Sequence, residues 1–326
     1  MNERESEMVN TIFKMVLTTE QPVSITLPVA EYTSANRYEN SPIMTRGLDS
    51  EGGKQQTSYI PATTFRGMLR RNVVVPMMEA RASSGDHYTL EEAYRDLIGQ
   101  DAASEQQPDE IDLISLKNMR AKHPVVDLFG LGLGVESRLK VSHFLPEHNI
   151  LPEVFTTARK DLGDNDDGAI LDLVNDEERA NYLKRANANS KRSAAEGLLD
   201  RLTKQKRKDG PSEELDKQIE ATEAKVEEYR EAMDGMTNSS RTILTHYAMP
   251  AGIQWTGRLI ITNSTDDDIE MICGALDRFS SYPMIGAQHA RGCGEISGVA
   301  DIETDRKLVK KISFGGFEPA KIDDFS

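Results

Sequence analysis

Tyr59-Ile60-Pro61-Ala62-Thr63-Thr64-Phe65-Arg66-Gly67-Met68-Leu69-Arg70-Arg71 is the stretch on which the fold turns. The proline biases the residue before it toward extended backbone. Phe65, Met68, Leu69 and Val73 then fall at helical spacing, with Thr63 or Thr64 as the expected N-cap. The junction reads as strand, turn, helix, with Arg66, Arg70 and Arg71 one and two turns beyond the helix N-terminus. Such a terminus presents unpaired N–H groups and the positive end of the helix dipole, and both attract phosphate. Gly67 would let a ligand or another backbone come close. An ordinary amphipathic helix with solvated arginines has the same pattern, and this segment alone does not separate the two readings.

Upstream, residues 9–29 alternate apolar and polar and predict one or two strands, whereas residues 30–58 are polar, glycine-bearing and without a helical period. Downstream, residues 88–98 and 111–121 predict short helices, and residues 127–134 a glycine-punctuated apolar turn. Leu139–Leu145 predicts a strand. Residues 176–234 are rich in Ala, Glu, Lys and Arg and broken by Asp209-Gly210-Pro211-Ser212, so they predict a helical hairpin. Strands follow at 241–249, 253–262 and 307–314, with a helix over 266–280. This mixture predicts an α+β fold in which helices back an antiparallel sheet.

No apolar run reaches the roughly 18 residues that cross a bilayer, and the acidic start Met1-Asn2-Glu3 is unlike a targeting segment. With two cysteines, Cys273 and Cys293, no disulfide framework is expected, and the protein reads as cytoplasmic. The net charge of −15 argues against nucleic acid as a whole-chain sum. Local fields decide binding, however, and the charges are segregated. Basic residues gather at 66–71, 184–192 and 201–208, and acids at 101–112, 161–176 and 213–234.

A second feature is Gly286-Ala287-Gln288-His289-Ala290-Arg291-Gly292-Cys293-Gly294-Glu295-Ile296-Ser297-Gly298. Glycines around Gln288, His289 and Arg291 suit a close approach to a phosphodiester chain, and equally a tight hairpin. Neither a Walker loop nor a dinucleotide fingerprint is present. Asp164-Asn165-Asp166-Asp167-Gly168 fails the register of a calcium loop, the six histidines show no metal-ligand spacing, and no nucleophile elbow occurs. Neither metal nor cofactor is expected.

Taken in order, these elements resemble the RAMP superfamily of CRISPR proteins, specifically its Cas-seven backbone subunits. The residues that carry the resemblance are Tyr59–Arg70, Asp127-Leu128-Phe129-Gly130, Arg138–Leu145, Met249-Pro250-Ala251-Gly252 and the Gly286–Gly298 loop. The resemblance spans about residues 10–300 and leaves 151–237 uncovered. It implies an RRM/ferredoxin-like palm over 8–78, 124–150 and 238–318, with helical fingers over 79–123. A helical thumb-side insertion over 151–237 and a tail over 319–326 complete it. It implies contact with guide crRNA at Thr63, Thr64, Arg66, Arg70, Arg71, Met249, Gly286, Gln288, His289, Arg291 and Gly292.

The implied partners are the guide crRNA, a target paired to it, further copies along a filament, other complex subunits and an accessory helicase. The long helical insertion and Ala62-Thr63-Thr64 in place of the usual Gly-Ser-Ser resemble the type IV branch, with type I the alternative. In type III relatives an aspartate before this helix cuts target RNA. The matching stretch here is Asn40-Ser41-Pro42-Ile43-Met44-Thr45-Arg46, and an asparagine cannot serve as a carboxylate base. The expectation is a non-catalytic subunit. A magnesium-dependent nuclease using Asp49, and a scaffold that binds no RNA, are the alternatives.

Overall fold

The computed structural model describes residues 9–26, 31–32, 38–39, 44–48, 54–100, 113–132, 134–159, 166–210, 212–231 and 242–325. The chain divides into two compact units, Met1–Phe155 with His246–Ser326, and Thr156–Thr245.

The first unit is α+β. Its sheet is built on β1 (Thr11–Thr19), β6 (Leu139–Val141), β10 (Gln254–Ile261) and β11 (Ile296–Thr304). Helix α1 (Ala62–Ser83) lies between β1 and β6 in sequence, and α7 (Asp266–Ser280) between β10 and β11. The spatial order β11-β1-β10-β6, antiparallel throughout, makes this a βαββαβ sheet of the ferredoxin kind. The sheet continues through β12 (Lys307–Gly315) to β13 (Lys321–Asp324), and β7 (Leu145–Pro146) pairs with β10.

Strand alternation decides which face is covered. Phe13, Met15 and Leu17 of β1, Trp255 and Leu259 of β10, and Ala300 and Ile302 of β11 are buried. In the same core lie Phe65, Leu69 and Val73 of α1 and Ile269, Ile272, Leu276 and Phe279 of α7. The opposite faces of β1, β10 and β11 carry residues such as Lys14, Val16, Thr256, Arg258, Val299 and Asp301, with no aromatic among them. The topology is that of an RRM, yet these strands offer no base-stacking platform.

A charged knot fastens the end of this layer. Arg138 donates twice to Asp268, both bonds at 2.8 Å, and its Nε donates to Asp127 at 2.8 Å. Asp268 is also the acid of the capping box that starts α7 with Thr265.

Four expectations change. Within 30–58 the chain forms short pairs, β2 (Glu31–Tyr32) with β3 (Tyr38–Glu39) and β4 (Met44–Leu48) with β5 (Lys54–Ser58). Strands this short and polar lack the alternation that reveals half-buried strands. Residues 124–129 are helix α4 (Pro124–Phe129), with proline at its first position and Gly130 at φ +73° ending it. The predicted strand at 139–145 is split into β6 and β7, because the Ser142 hydroxyl takes the Arg258 N–H and Phe144 exchanges its backbone bonds with Ile60 instead of β10. Finally β13, whose residues are all exposed, lies in the expected tail. Shorter helices α2 (Leu90–Ala93) and α3 (Leu113–Lys122), with a π-helical turn at Tyr94–Ile98, complete this unit's helices among the described residues.

The second unit contains the predicted helical hairpin, α5 (Asp176–Asp209) and α6 (Glu213–Glu231). Asn175 caps α5 through the Glu178 N–H at 2.9 Å. Acids fill its first turn and Lys206, Arg207 and Lys208 its last, matching the helix dipole at both ends. Ala195, Leu202, Thr222 and Val226 are its buried seam residues. Strands β8 (Glu153–Arg159) and β9 (Thr242–Ala248) pair with each other, and the boundary between the units falls within both.

Candidate nucleic-acid interface

Helix α1 starts two or three residues earlier than its threonines suggest. Pro61, at φ −63° and ψ 140°, is the N-cap and offers no side-chain bond. Its carbonyl accepts from Thr64 at 3.1 Å and Phe65 at 3.3 Å, and the Ala62 N–H donates to His143 Nδ1 at 3.0 Å. Thr63 and Thr64 therefore lie inside the first turn, because proline already supplies the extended cap geometry. Most of the helix-end donors expected for phosphate are used within the protein. His143, whose ring stands edge-on to Tyr59 at 4.8 Å, has no local sequence signal as a cap, since it is 81 residues from Ala62.

The arginines divide by helix face. Arg66 is half-buried and its Nη2 donates to the Phe129 carbonyl; burial lowers its pKa. Arg70 is 7% exposed, donating to the carbonyls of Asp96 at 2.6 Å and Arg95 at 2.8 Å. Its pKa is lowered to about 10, first by burial and next by the Arg66 charge, with Asp96 acting the opposite way. These two arginines hold the Leu-Phe-Gly turn and the π-helical turn in place. Thr63, Gly67 and Arg71, four residues apart, form the exposed stripe instead. Among the described residues, a Cβ on Gly67 would meet nothing within 4 Å.

The glycine loop is likewise partly committed to the fold. Gly286, at φ +81°, lies so near Ser24 that a Cβ would stand 2.4 Å from its carbonyl oxygen. Gly294 is equally tight against the Ile285 carbonyl, at 2.7 Å. Between them a single 3-10 turn, His289–Arg291, is bracketed by Gln288 and Gly292, both left-handed. Arg291 is exposed and bonds Gln288, and a Cβ on Gly292 would reach open space. His289 is half-buried with Nδ1 3.3 Å from the Tyr282 hydroxyl, and Tyr282 is 59% exposed. That tyrosine supplies an aromatic surface that sequence reading missed.

Beneath the turn, His246 and Cys293 are buried with Nε2 and Sγ 3.6 Å apart, and the His246 ring stacks on Phe155 at 5.7 Å. Burial and then the Arg291 charge lower the His246 pKa, and burial raises that of Cys293. Met249 is fully buried and exchanges backbone bonds with Val23 at 2.8 and 2.9 Å, so it serves the core and cannot meet a nucleic acid.

The residues left accessible are Thr63, Gly67 and Arg71 on α1, and Tyr282, Gln288, Arg291 and Gly292 in the loop. No hydrogen bond, ion pair or ring contact among the described residues joins the two groups. Their chemistry is that of hydroxyl, amide, guanidinium and bare backbone, which suits phosphate and sugar contacts. Among the described residues no three His, Cys, Asp or Glu side chains converge to hold a metal, and no helix is long and apolar enough to cross a membrane. Asn40 and Asp49 lie outside the described residues.

Sheet order and covering helices define a ferredoxin-like α+β protein with polar helix and loop surfaces. Residues 50–297 match the RAMP superfamily, and the chain belongs to it. No curated protein matches it. Among solved structures it is similar to one described as the Type IV-B CRISPR Complex, at 13% identity and a TM-score of 0.46, over 89% of this chain and 90% of that one.

Proposed function

We propose that this chain is a backbone subunit of a Class 1 CRISPR ribonucleoprotein of the type IV branch. It binds guide RNA through phosphates, leaves the bases free to pair with a target, and does not cut that target. Successive copies follow one another along the guide. The observation that carries this reading is Gly67. A mid-helix glycine costs about 1 kcal/mol relative to alanine, and among the described residues no group lies where its side chain would stand. Its use is external: it lets another chain reach the helix backbone between Thr63 and Arg71.

Gly67→Leu tests this, because leucine improves the helix while filling that space. The melting temperature should hold or rise, while affinity for single-stranded RNA falls about tenfold, the worth of one charge-assisted contact. A variant that binds RNA as tightly as the parent protein overturns the reading. The absence of cutting is proposed from Asn40 at the position of the type III aspartate. Complementary RNA incubated with the assembled complex and magnesium should stay intact; regularly spaced cuts would return the role to Asp49.

A further inference from the structure

The hairpin of the second unit carries two charge stripes of opposite sign. On α5, Lys184, Lys191, Arg201 and Lys208 are exposed and fall on a row spaced alternately three and four residues apart, whose other positions are neutral. No ion pair among the described residues engages these four cations. On α6, Glu213, Asp216, Glu220, Glu223 and Glu227 occupy successive positions of an equivalent row, all exposed. Glu213, Asp216 and Glu227 pair with Lys217, Lys206 and Arg230, while Glu220 and Glu223 have no partner among the described residues.

The rows sit on opposite faces. At about 100° per residue, each lies about 100° from the seam that joins the helices, in opposite senses when each helix is viewed from its own N-terminus. Because the helices run antiparallel, the cations then occupy one broad face of the hairpin and the carboxylates the other. Both rows repeat every seven residues, about 10.5 Å along a helix.

We infer that the hairpin is a head-to-tail contact between copies of this chain, the basic α5 face of one hairpin lying on the acidic α6 face of the next. Two different complementary faces on one body give a heterologous contact, which propagates as a filament instead of closing as a dimer. Nucleic acid on the α5 row is the competing occupant, but it gives no role to the equally regular acidic row. The inference deepens the multi-copy reading above, and it is tested without RNA so that failure of either can be told from failure of the other.

Two full-length variants suffice. One carries Lys184, Lys191, Arg201 and Lys208→Glu, the other Glu220, Glu223 and Glu227→Lys; Asp216 is left to hold Lys206. All seven positions are exposed, and unchanged melting temperatures will show that both variants fold. In sedimentation velocity at about 0.05 M salt the parent protein should self-associate, and at about 0.5 M, where screening is short-ranged, it should not. Each variant alone should associate at least about tenfold more weakly, because its two faces now repel. Mixing the two should restore association, since every contact in an alternating chain is again complementary. A parent protein that stays monomeric at low salt, variants that still associate, or a mixture that does not recover would each refute the contact. Loss of RNA binding in the α5 variant alone, with association untouched, would assign the basic row to nucleic acid.

Discussion

Arg70→Met separates a scaffold arginine from a gripping one. The guanidinium donates to two carbonyls at 2.6 and 2.8 Å and lies over the Phe129 ring, 5.9 Å from its centroid. Methionine matches its length and apolar stem but cannot donate. Two hydrogen bonds from a charged donor are worth about 1.5 kcal/mol each at the low end, and the Asp96 and Arg95 carbonyls are left in a poorly hydrated place. Against this, removing a buried charge recovers part of the desolvation that has lowered the Arg70 pKa to about 10. The net loss should be about 2–3 kcal/mol, which for a unit of this size lowers the melting temperature by about 4–10 °C. RNA affinity, measured by fluorescence anisotropy where the variant is fully folded, should be unchanged. Arg71→Ala should do the reverse: stability within about 0.5 kcal/mol of the parent, weaker binding for every RNA sequence, and a salt slope flatter by about 0.7. If Arg70→Met keeps its melting temperature and loses RNA, the division of the helix into a scaffold face and a binding face is wrong.

Gly286→Ala should be far more damaging than Gly292→Ala, although both glycines have positive φ, because only the first places a Cβ within 2.4 Å of a backbone oxygen. Urea melts should show about 1 kcal/mol lost at Gly292 from left-handed strain alone and at least twice that at Gly286. Asp268→Ala removes the α7 capping box and one of the two carboxylates that hold Arg138, which keeps Asp127; a loss of about 2–3 kcal/mol in thermal or urea unfolding is expected. His246 has a folded pKa below its ordinary 6.5, so the unfolded state binds its proton first as pH falls. Stability should therefore decline below about pH 6.5, and His246→Phe should lose less stability than the parent between pH 7.5 and 5.5.

The elements with strong periodicity were legible in the sequence. The start of α7 and the break between α5 and α6 follow from Thr265, Asp268 and Gly210, which act locally. The α+β class followed from the order of such elements. Within the candidate interface, sequence could show that arginines were present but not which way they face. Arg70 and Arg71 are neighbours in the chain, yet one is buried on two carbonyls contributed by residues 25 and 26 positions away. The same limit applies to Gly286 and Gly292, one pressed on Ser24 and the other open. Met249 and Tyr282 were misjudged and missed for the same reason: exposure is set by what packs from elsewhere in the chain.

The ribbon of β8 and β9 has a consequence beyond geometry. Where the chain leaves for the helical hairpin and where it comes back are hydrogen-bonded neighbours. A segment entered and left through adjacent strands can be lengthened, trimmed or exchanged without moving the two ends it is spliced between, and the chain entropy of doing so grows only with the logarithm of its length. Evolution could thus rewrite the charge code of the hairpin in one lineage after another, while the sheet and the helices that cover it stay under their own, separate selection.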